Sequence, residues 1–313
     1  MALYLAASKF VVSLRMMKYD WKKIAMKTLD WLANIVIAVF CLGVLYILIQ
    51  IFVCVSFTIP SDSMYPAIEP GDRVWVDKWL TGARLFDIFD AAEGKAVDIR
   101  RTPQLRRYKN GDVLVFNFPY RGSWDTIAMD YRVYYIKRCM GIPGDTLEIR
   151  DFRYFVNGKE AEKGPKRHSI APYYPPDSVA RASTAGYLAF AKDSIDRWTV
   201  RDMGPLYIPS RGGTVELTPA NCLRYKQLIE WETHDTLRID SLGRATIGGV
   251  RADRYTFREN YYFMAGDKSY NSKDSRYWGL CPEPFIVGRA VMIWWSEDRN
   301  GRLRWRRMLR RLQ

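Results

Sequence analysis

An uninterrupted apolar run near the N-terminus constrains this chain more than any other feature. Residues 31–55 read WLANIVIAVFCLGVLYILIQIFVCV, with no charged residue and no proline. A helix of about 20 apolar residues is long enough to cross a bilayer. A buried helix of a water-soluble domain is the alternative, but such helices normally keep a polar face. The run therefore predicts a single transmembrane helix at 31–55.

The charges that precede the apolar run predict its orientation. Residues 1–30 carry Lys9, Arg15, Lys18, Lys22, Lys23 and Lys27 against only Asp20 and Asp30. Basic residues stay on the cytoplasmic side of a span, so we expect a cytoplasmic basic leader at 1–30 and everything after Val55 on the outer side of the membrane. A cleavable signal peptide is disfavoured because the run is too long and VSFTIPSDS contains no A-x-A site.

The exported part has the pattern of a mainly β protein. Its apolar residues alternate with polar ones, or are β-branched and aromatic, in short runs separated by Gly, Pro and Asn-Gly. These runs lie at 72–79, 112–118, 132–140, 146–151, 154–158, 214–218 and 290–295. Helical pattern is sparse in this part, and the clearest predicted helix follows Thr218-Pro219. We predict a β core at 56–150 and 254–300, interrupted by an inserted accessory or cap subdomain at 151–253.

The C-terminal residues 301–313, GRLRWRRMLRRLQ, form a basic tail. The formal charge of +14 at pH 7 suggests an acidic partner, a membrane surface or nucleic acid. The predicted topology places the tail outside the cytoplasm and so argues against nucleic acid. Trp305, Met308, Leu309 and Leu312 recur at helical spacing, which predicts an amphipathic helix on an anionic bilayer surface. Packing of the same apolar stripe against the domain is the competing interpretation.

The scarcity of histidine limits the chemistry. The chain has two histidines, His168 and His234, both in the predicted accessory stretch, so a Ser-His-Asp site is not expected. A nucleophilic serine would need another base, and a lysine can serve if burial keeps its amine neutral. Lys137 stands in the strand-like run RVYYIKRCMGIPGD, between apolar residues. From the strand pattern alone, an exposed position at a sheet edge is the alternative for such a lysine. The five cysteines are not spaced as zinc ligands, so we expect no metal site.

Four segments carry a family resemblance. They are PSDSMYP at 60–66, NGDVLVFNFP at 110–119, YYIKRCMGIPGD at 134–145 and YYFMAGDKSYNSKDSRYWG at 261–279. Together with the anchor, and in this order, they resemble the conserved boxes of the bacterial type I signal peptidases, which are membrane-anchored Ser-Lys proteases. The resemblance implies a membrane-bound serine endopeptidase that removes signal peptides from exported preproteins without a cofactor.

The resemblance also implies a role for individual residues. Ser63 matches the nucleophile and Lys137 its general base. The Ser61 hydroxyl and the backbone N–H of Ser63 match the oxyanion hole, and Ser272 matches the serine that orients the lysine. Asp274 and Arg276 match a structural ion pair, with Arg138 as its neighbour. The substrate pocket is implied at Ile59, Met64, Tyr135 and Ile136.

Two positions depart from the pattern of the family. Asp62 stands where the family usually has Gly between the two serines, and Ser269-Tyr270 replaces a common Arg-Asp. Two other functions stay open. One is a non-catalytic, membrane-tethered β domain that binds peptides or envelope partners. The other is a Ser-Lys protease dedicated to one secretion or conjugation system.

Overall fold

The computed structural model of the chain describes residues 2–93, 95, 97–165 and 198–312. These residues fall into two compact units, Met1–Gln50 and Ile51–Gln313.

The N-terminal unit is helical. Helix α1 covers Ala2–Phe52, and its part Lys22–Phe52 is long and apolar enough to cross a membrane. The predicted boundary at Val55 is wrong, because the helix ends at Phe52 and strand β1 covers Cys54–Thr58. The apolar composition of residues 53–55 continues that of the helix, but their backbone pairs with another strand, which composition does not reveal.

The second unit contains short helices and many strands. Helices α2, α3 and α4 cover Ile88–Glu93, Pro219–Thr233 and Ser275–Trp278. Strands β2 to β9 cover Asp72–Asp77, Arg84–Leu85, Arg100–Arg101, Val113–Phe118, Asp130–Gly141, Thr146–Arg150, Arg153–Val156 and Lys159–Glu160. Strands β10 to β15 cover Met203–Tyr207, Thr214–Glu216, Leu237–Ile239, Ala245–Ile247, Val250–Arg251 and Arg254–Thr256. Strands β16 to β19 cover Tyr261–Ala265, Cys281–Pro282, Ile286–Ser296 and Arg310–Arg311.

The mainly β fold class is confirmed. The principal sheet has the order β1-β2-β18-β5-β6-β16-β17, with β19 paired to β18. Each predicted run overlaps one of the strands, because alternating and β-branched residues suit a pleated surface with one buried face. The predicted helix is α3, which Thr218 caps by accepting a hydrogen bond from the Asn221 N–H at 3.2 Å.

Two apolar cores hold the sheet. The larger contains aromatic side chains of β5, β16 and α4, including Phe116, Phe263 and Trp278. The smaller lies under the loop between β1 and β2 and includes Ile59, Met64 and Ile68, together with residues of β2, β5, β6 and β18. Strand β6 contributes to both cores, with Ile136 in the smaller and Cys139 and Met140 in the larger, and Lys137 lies between these residues.

The predicted accessory stretch at 151–253 is only partly described, since 166–197 and with them His168 lie outside the described residues. In its described part, β10 pairs with β7. Tyr225 and Ile229 of α3 enter the larger core. These parts share the core of the principal sheet, and the boundaries of a separate subdomain stay a prediction.

The predicted C-terminal helix is wrong. Residues Trp305–Arg307 form one 3₁₀ turn, and β19 pairs Arg310 and Arg311 with Ile293 and Met292 of β18. The helical spacing of apolar residues in the tail therefore does not correspond to a helix, because the tail adds a short strand to the sheet instead. Within the described chain, Leu312 also packs against the smaller core.

Ion pairs with a buried carboxylate fix the position of the tail. The Arg307 Nη2 lies 2.7 Å from Asp72 Oδ2, and the Arg304 Nη2 lies 3.2 Å from Asp72 Oδ1. Asp72 is fully buried, so these arginines, and not the apolar stripe as a whole, bind the tail to the domain. Trp305 and Leu309 remain 70% and 71% exposed, and their contact with lipid stays a prediction.

Candidate active site

The loop between β1 and β2 carries Ser63 and is held at its base. The Ile59 N–H donates to Asp72 O at 2.9 Å, and the Gly71 N–H donates to Ile59 O at 2.8 Å. Gly71 has φ +87°, and a side chain there would collide with the carbonyl of Glu297. Met64 is fully buried beneath the loop. The buried methionine and the closed base together hold Ser63 over packed side chains.

Strand β6 brings Lys137 to this serine. Lys137 pairs with Leu114 of β5, and its side chain is turned toward the loop. Its Nζ lies 2.7 Å from Ser63 Oγ and 3.1 Å from the carbonyl oxygen of Ile136. Both residues are buried, with Lys137 5% and Ser63 7% exposed. The amine and the hydroxyl are therefore within reach of direct proton transfer.

Burial adjusts the pKa of this lysine. Loss of hydration lowers the pKa of Lys137 to about 8, although the carboxylates of Asp274 and Asp267 act in the opposite direction. Burial also lowers the pKa of Lys78 to about 8, but Lys78 does not line the groove next to Ser63. Of these two lysines, Lys137 is the one that contacts Ser63, and its role as general base stays a prediction.

An open groove of about 390 Å³ runs past the Ser63–Lys137 pair. Ile59, Tyr135 and Ile136 line it, as the resemblance implies, whereas Met64 lies below the loop and does not. The rings of Phe57 and Tyr134 meet with centroids 4.9 Å apart, which brings β1 and β6 close together. Apolar side chains line part of the groove, and Ser63 and Lys137 lie among them.

The two remaining serines named by the resemblance, Ser61 and Ser272, differ in exposure. Ser61 Oγ lies 3.5 Å from Ser63 Oγ and is exposed to the groove. Ser272 is buried, and among the described residues its Oγ has no hydrogen-bond partner. A side chain on Gly266 would collide with Ser272 and come within 2.7 Å of Ser63 O, so this glycine allows the two loops to approach. The lysine-orienting role of Ser272 stays a prediction.

Buried ion pairs support both loops. Asp274 binds the guanidinium of Arg276 through both carboxylate oxygens, at 2.8 and 2.9 Å, and accepts from the Gly266 N–H at 3.0 Å. Arg138 is not part of this pair. It binds Asp267 with two contacts of 2.7 Å, and the side chains of Arg138 and Asp267 are 6% and 8% exposed. The two ion pairs hold the segment 266–276, which carries Ser272, in place.

A family model decides the family of the chain. The model for signal peptidase, peptidase S26, matches residues 29–295. The chain belongs to this signal peptidase family.

Individual members of the signal peptidase family are similar to this chain over most of its length. Signal peptidase I of Pseudomonas fluorescens is 28% identical over 270 residues, which are 82% of this chain and 71% of that protein. Signal peptidase I of Pseudomonas aeruginosa is 29% identical and covers 80% of this chain and 68% of its own. The enzyme of that name from Buchnera aphidicola subsp. Acyrthosiphon pisum is 25% identical over 262 residues.

Several residues of this signal peptidase site escaped the sequence reasoning. Asp267 is the partner of Arg138, Lys268 and Asn271 bind Asp62, and Lys273 lines the groove. All four lie in the box at 261–279, whose polar composition marks it as part of the site. The composition does not show which residue each of them contacts, because the partners are far away in the chain.

Proposed function

We propose that this signal peptidase cleaves the signal peptides of exported preproteins with Ser63 as nucleophile and Lys137 as general base. The observation that carries the proposal is the buried contact of 2.7 Å between Lys137 Nζ and Ser63 Oγ at an open groove. Membership of the signal peptidase family supports the reaction class and the preprotein substrate.

The geometry is suited to acyl transfer in two stages. Neutral Lys137 takes the proton of Ser63 as Oγ attacks the scissile carbonyl, and it then gives that proton to the leaving amine. The Ser63 N–H and the Ser61 hydroxyl stabilise the negative oxygen of the tetrahedral intermediates. The acyl-enzyme ester is then hydrolysed by a water molecule that the same lysine deprotonates. Ser272 is proposed to hold the amine in place.

The groove suits an extended peptide. Strand β1 pairs with β2, and the segment 134–137 of β6 pairs with β5. Within the described part of the chain, no strand pairs with their other edges at this position. A substrate strand between these edges would satisfy free backbone groups and would place a carbonyl next to Ser63. The side chains of Ile59 and Ile136 would leave room only for small residues at the cut.

A defined substrate tests this function. We expect the purified full chain in detergent to cut a preprotein directly after an Ala-x-Ala sequence, as mass mapping of the new N-terminus would show. The matched control carries Trp in place of the last Ala, and we expect its cleavage to fall about 100-fold or more because a wide ring cannot enter a small pocket. Cleavage at other sites, or equal cleavage of the control, would exclude this function.

The membrane placement is part of the proposal. We place the N-terminus in the cytoplasm and the catalytic unit on the outer side of the bacterial inner membrane, because basic residues predominate before the span. Anchoring raises the local concentration of substrate cleavage sites at the same surface. Protease added outside spheroplasts is expected to degrade the catalytic unit while a tag at the N-terminus stays protected. Degradation of the tag with survival of the catalytic unit would reverse the topology.

A further inference from the structure

Asp62 lies between Ser61 and Ser63 in the loop at 59–71, which we call the nucleophile loop. Its side chain contacts the loop at 266–272 directly. Its Oδ2 forms an ion pair with Lys268 Nζ, and its Oδ1 accepts from the Asn271 side-chain amide at 2.7 Å. The backbone links the same loops, since the Lys268 N–H donates to Ser63 O at 3.0 Å. The nucleophile loop is therefore attached to the loop at 266–272 both at Asp62 and at Ser63.

The charge of Asp62 has a consequence for catalysis. This carboxylate is next in the chain to both groups proposed for the oxyanion hole, the Ser61 hydroxyl and the Ser63 N–H. An unpaired negative charge there would oppose the negative charge that develops on the substrate oxygen. The ammonium of Lys268 lies against the carboxylate and offsets its charge. The Asp62 and Lys268 side chains are 34% and 18% exposed, so solvent screens them only in part.

Both partners keep their charge while the reaction proceeds. The hydrogen bond from Lys268 holds the pKa of Asp62 below its ordinary value, and the same hydrogen bond raises the pKa of Lys268. Lys137, whose pKa is about 8, therefore becomes neutral at a pH where Lys268 is still protonated. The two lysines near Ser63 thus have opposite protonation states in the active form.

The ring of Tyr270 supports Lys268 from the other side. Lys268 Nζ lies 5.1 Å from the centroid of this ring, a distance at which a cation is attracted to an aromatic face. Tyr270 in turn packs against Phe152 and Val200, which are 4% and 2% exposed. Asp62 and Tyr270, two positions at which the chain departs from the family boxes, therefore both contact the ammonium group of Lys268.

We propose that Lys268 is a positioning residue that neutralises Asp62 and ties the nucleophile loop to its neighbour, so that the oxyanion hole keeps its geometry and its positive potential. The inference rests on the proposed function of Ser63. Lys268 acts through Asp62 and takes no part in proton transfer. Tyr270 and the stretch that supports it keep the ammonium over the nucleophile loop.

Three variants of the full chain in detergent test the proposal, with kcat and KM measured separately on a preprotein. Lys268→Met leaves the Asp62 carboxylate unpaired, and we expect kcat to fall about 10- to 100-fold with KM within about 3-fold of wild type. Asp62→Asn removes the unfavourable charge together with the ion pair, and we expect a loss of less than about 5-fold. The double variant is expected to match Asp62→Asn, because Lys268 then has no charge to neutralise.

Controls separate this account from simple loss of structure. Lys268→Arg should keep most of the activity, and Lys226→Met, an exposed substitution on α3, should behave as wild type. A merely structural tether would make the two single variants equally poor, and that result would overturn neutralisation by Lys268. Wild-type kcat in Lys268→Met, or multiplicative losses in the double variant, would overturn it too. Ser63→Ala in the same assay tests the proposed function separately, since full activity of that variant would refute the nucleophile whatever Lys268 does.

Discussion

Replacement of Ser63 by Ala or of Lys137 by Met is expected to lower the cleavage rate about 10⁴-fold. Ser63→Ala removes the attacking oxygen, and Lys137→Met removes the base while keeping a side chain of similar length in the buried site. Because nucleophile and base act as a unit, the double variant should be no slower than either single one. The measurement is the initial rate of product formation from a preprotein in detergent.

The controls for this dyad use charge and pH. Lys137→Arg keeps a positive charge but cannot lose its proton near neutral pH, so it should be as inactive as Lys137→Met. The wild-type rate should rise as the pH increases through about 8, because only the neutral amine accepts the proton of Ser63. A rate that is independent of pH in this range, or an active Lys137→Arg enzyme, would show that Lys137 is not the base.

Asp274→Ala is expected to have the largest effect on stability. The side chain of Arg276 is 1% exposed, and the substitution would leave its charge buried without the carboxylate that pairs with it. Removal of one member of a buried pair costs about 3–5 kcal/mol of unfolding free energy. The melting temperature should therefore fall by about 10 °C. Activity should fall as well, because the Gly266 N–H loses its acceptor beside Ser63.

Two further variants check the cause of this loss. Asp274→Leu combined with Arg276→Met removes both charges, and we expect it to recover much of the lost stability. Arg244→Ala breaks an exposed ion pair with Asp240, and we expect its melting temperature to stay close to that of wild type. A double variant as unstable as Asp274→Ala would mean that packing around the pair, and not the unpaired charge, determines the cost.

The tail shows where local pattern fails as a predictor. Trp305, Met308, Leu309 and Leu312 have helical spacing, yet the tail forms a 3₁₀ turn and a short strand. The helical form would need its apolar face covered, whereas the observed form places two arginines on the buried carboxylate of Asp72. The pattern of the tail gives no information about that carboxylate, because Asp72 lies more than 230 positions earlier in the chain.

The sequence by itself determined the anchor, the mainly β class and the segments that meet at the site. These features follow from composition and from the spacing of apolar residues, every two residues in strands and every three to four in helices. Both depend only on residues that are close together in the chain. The tertiary structure alone decided that Arg138 pairs with Asp267, that Met64 lies below the groove, and that Lys268 pairs with Asp62 from 206 positions away. Partners so far apart in the chain are selected by the packing of strands, because a side chain's charge shows that it needs a partner but not which one it meets.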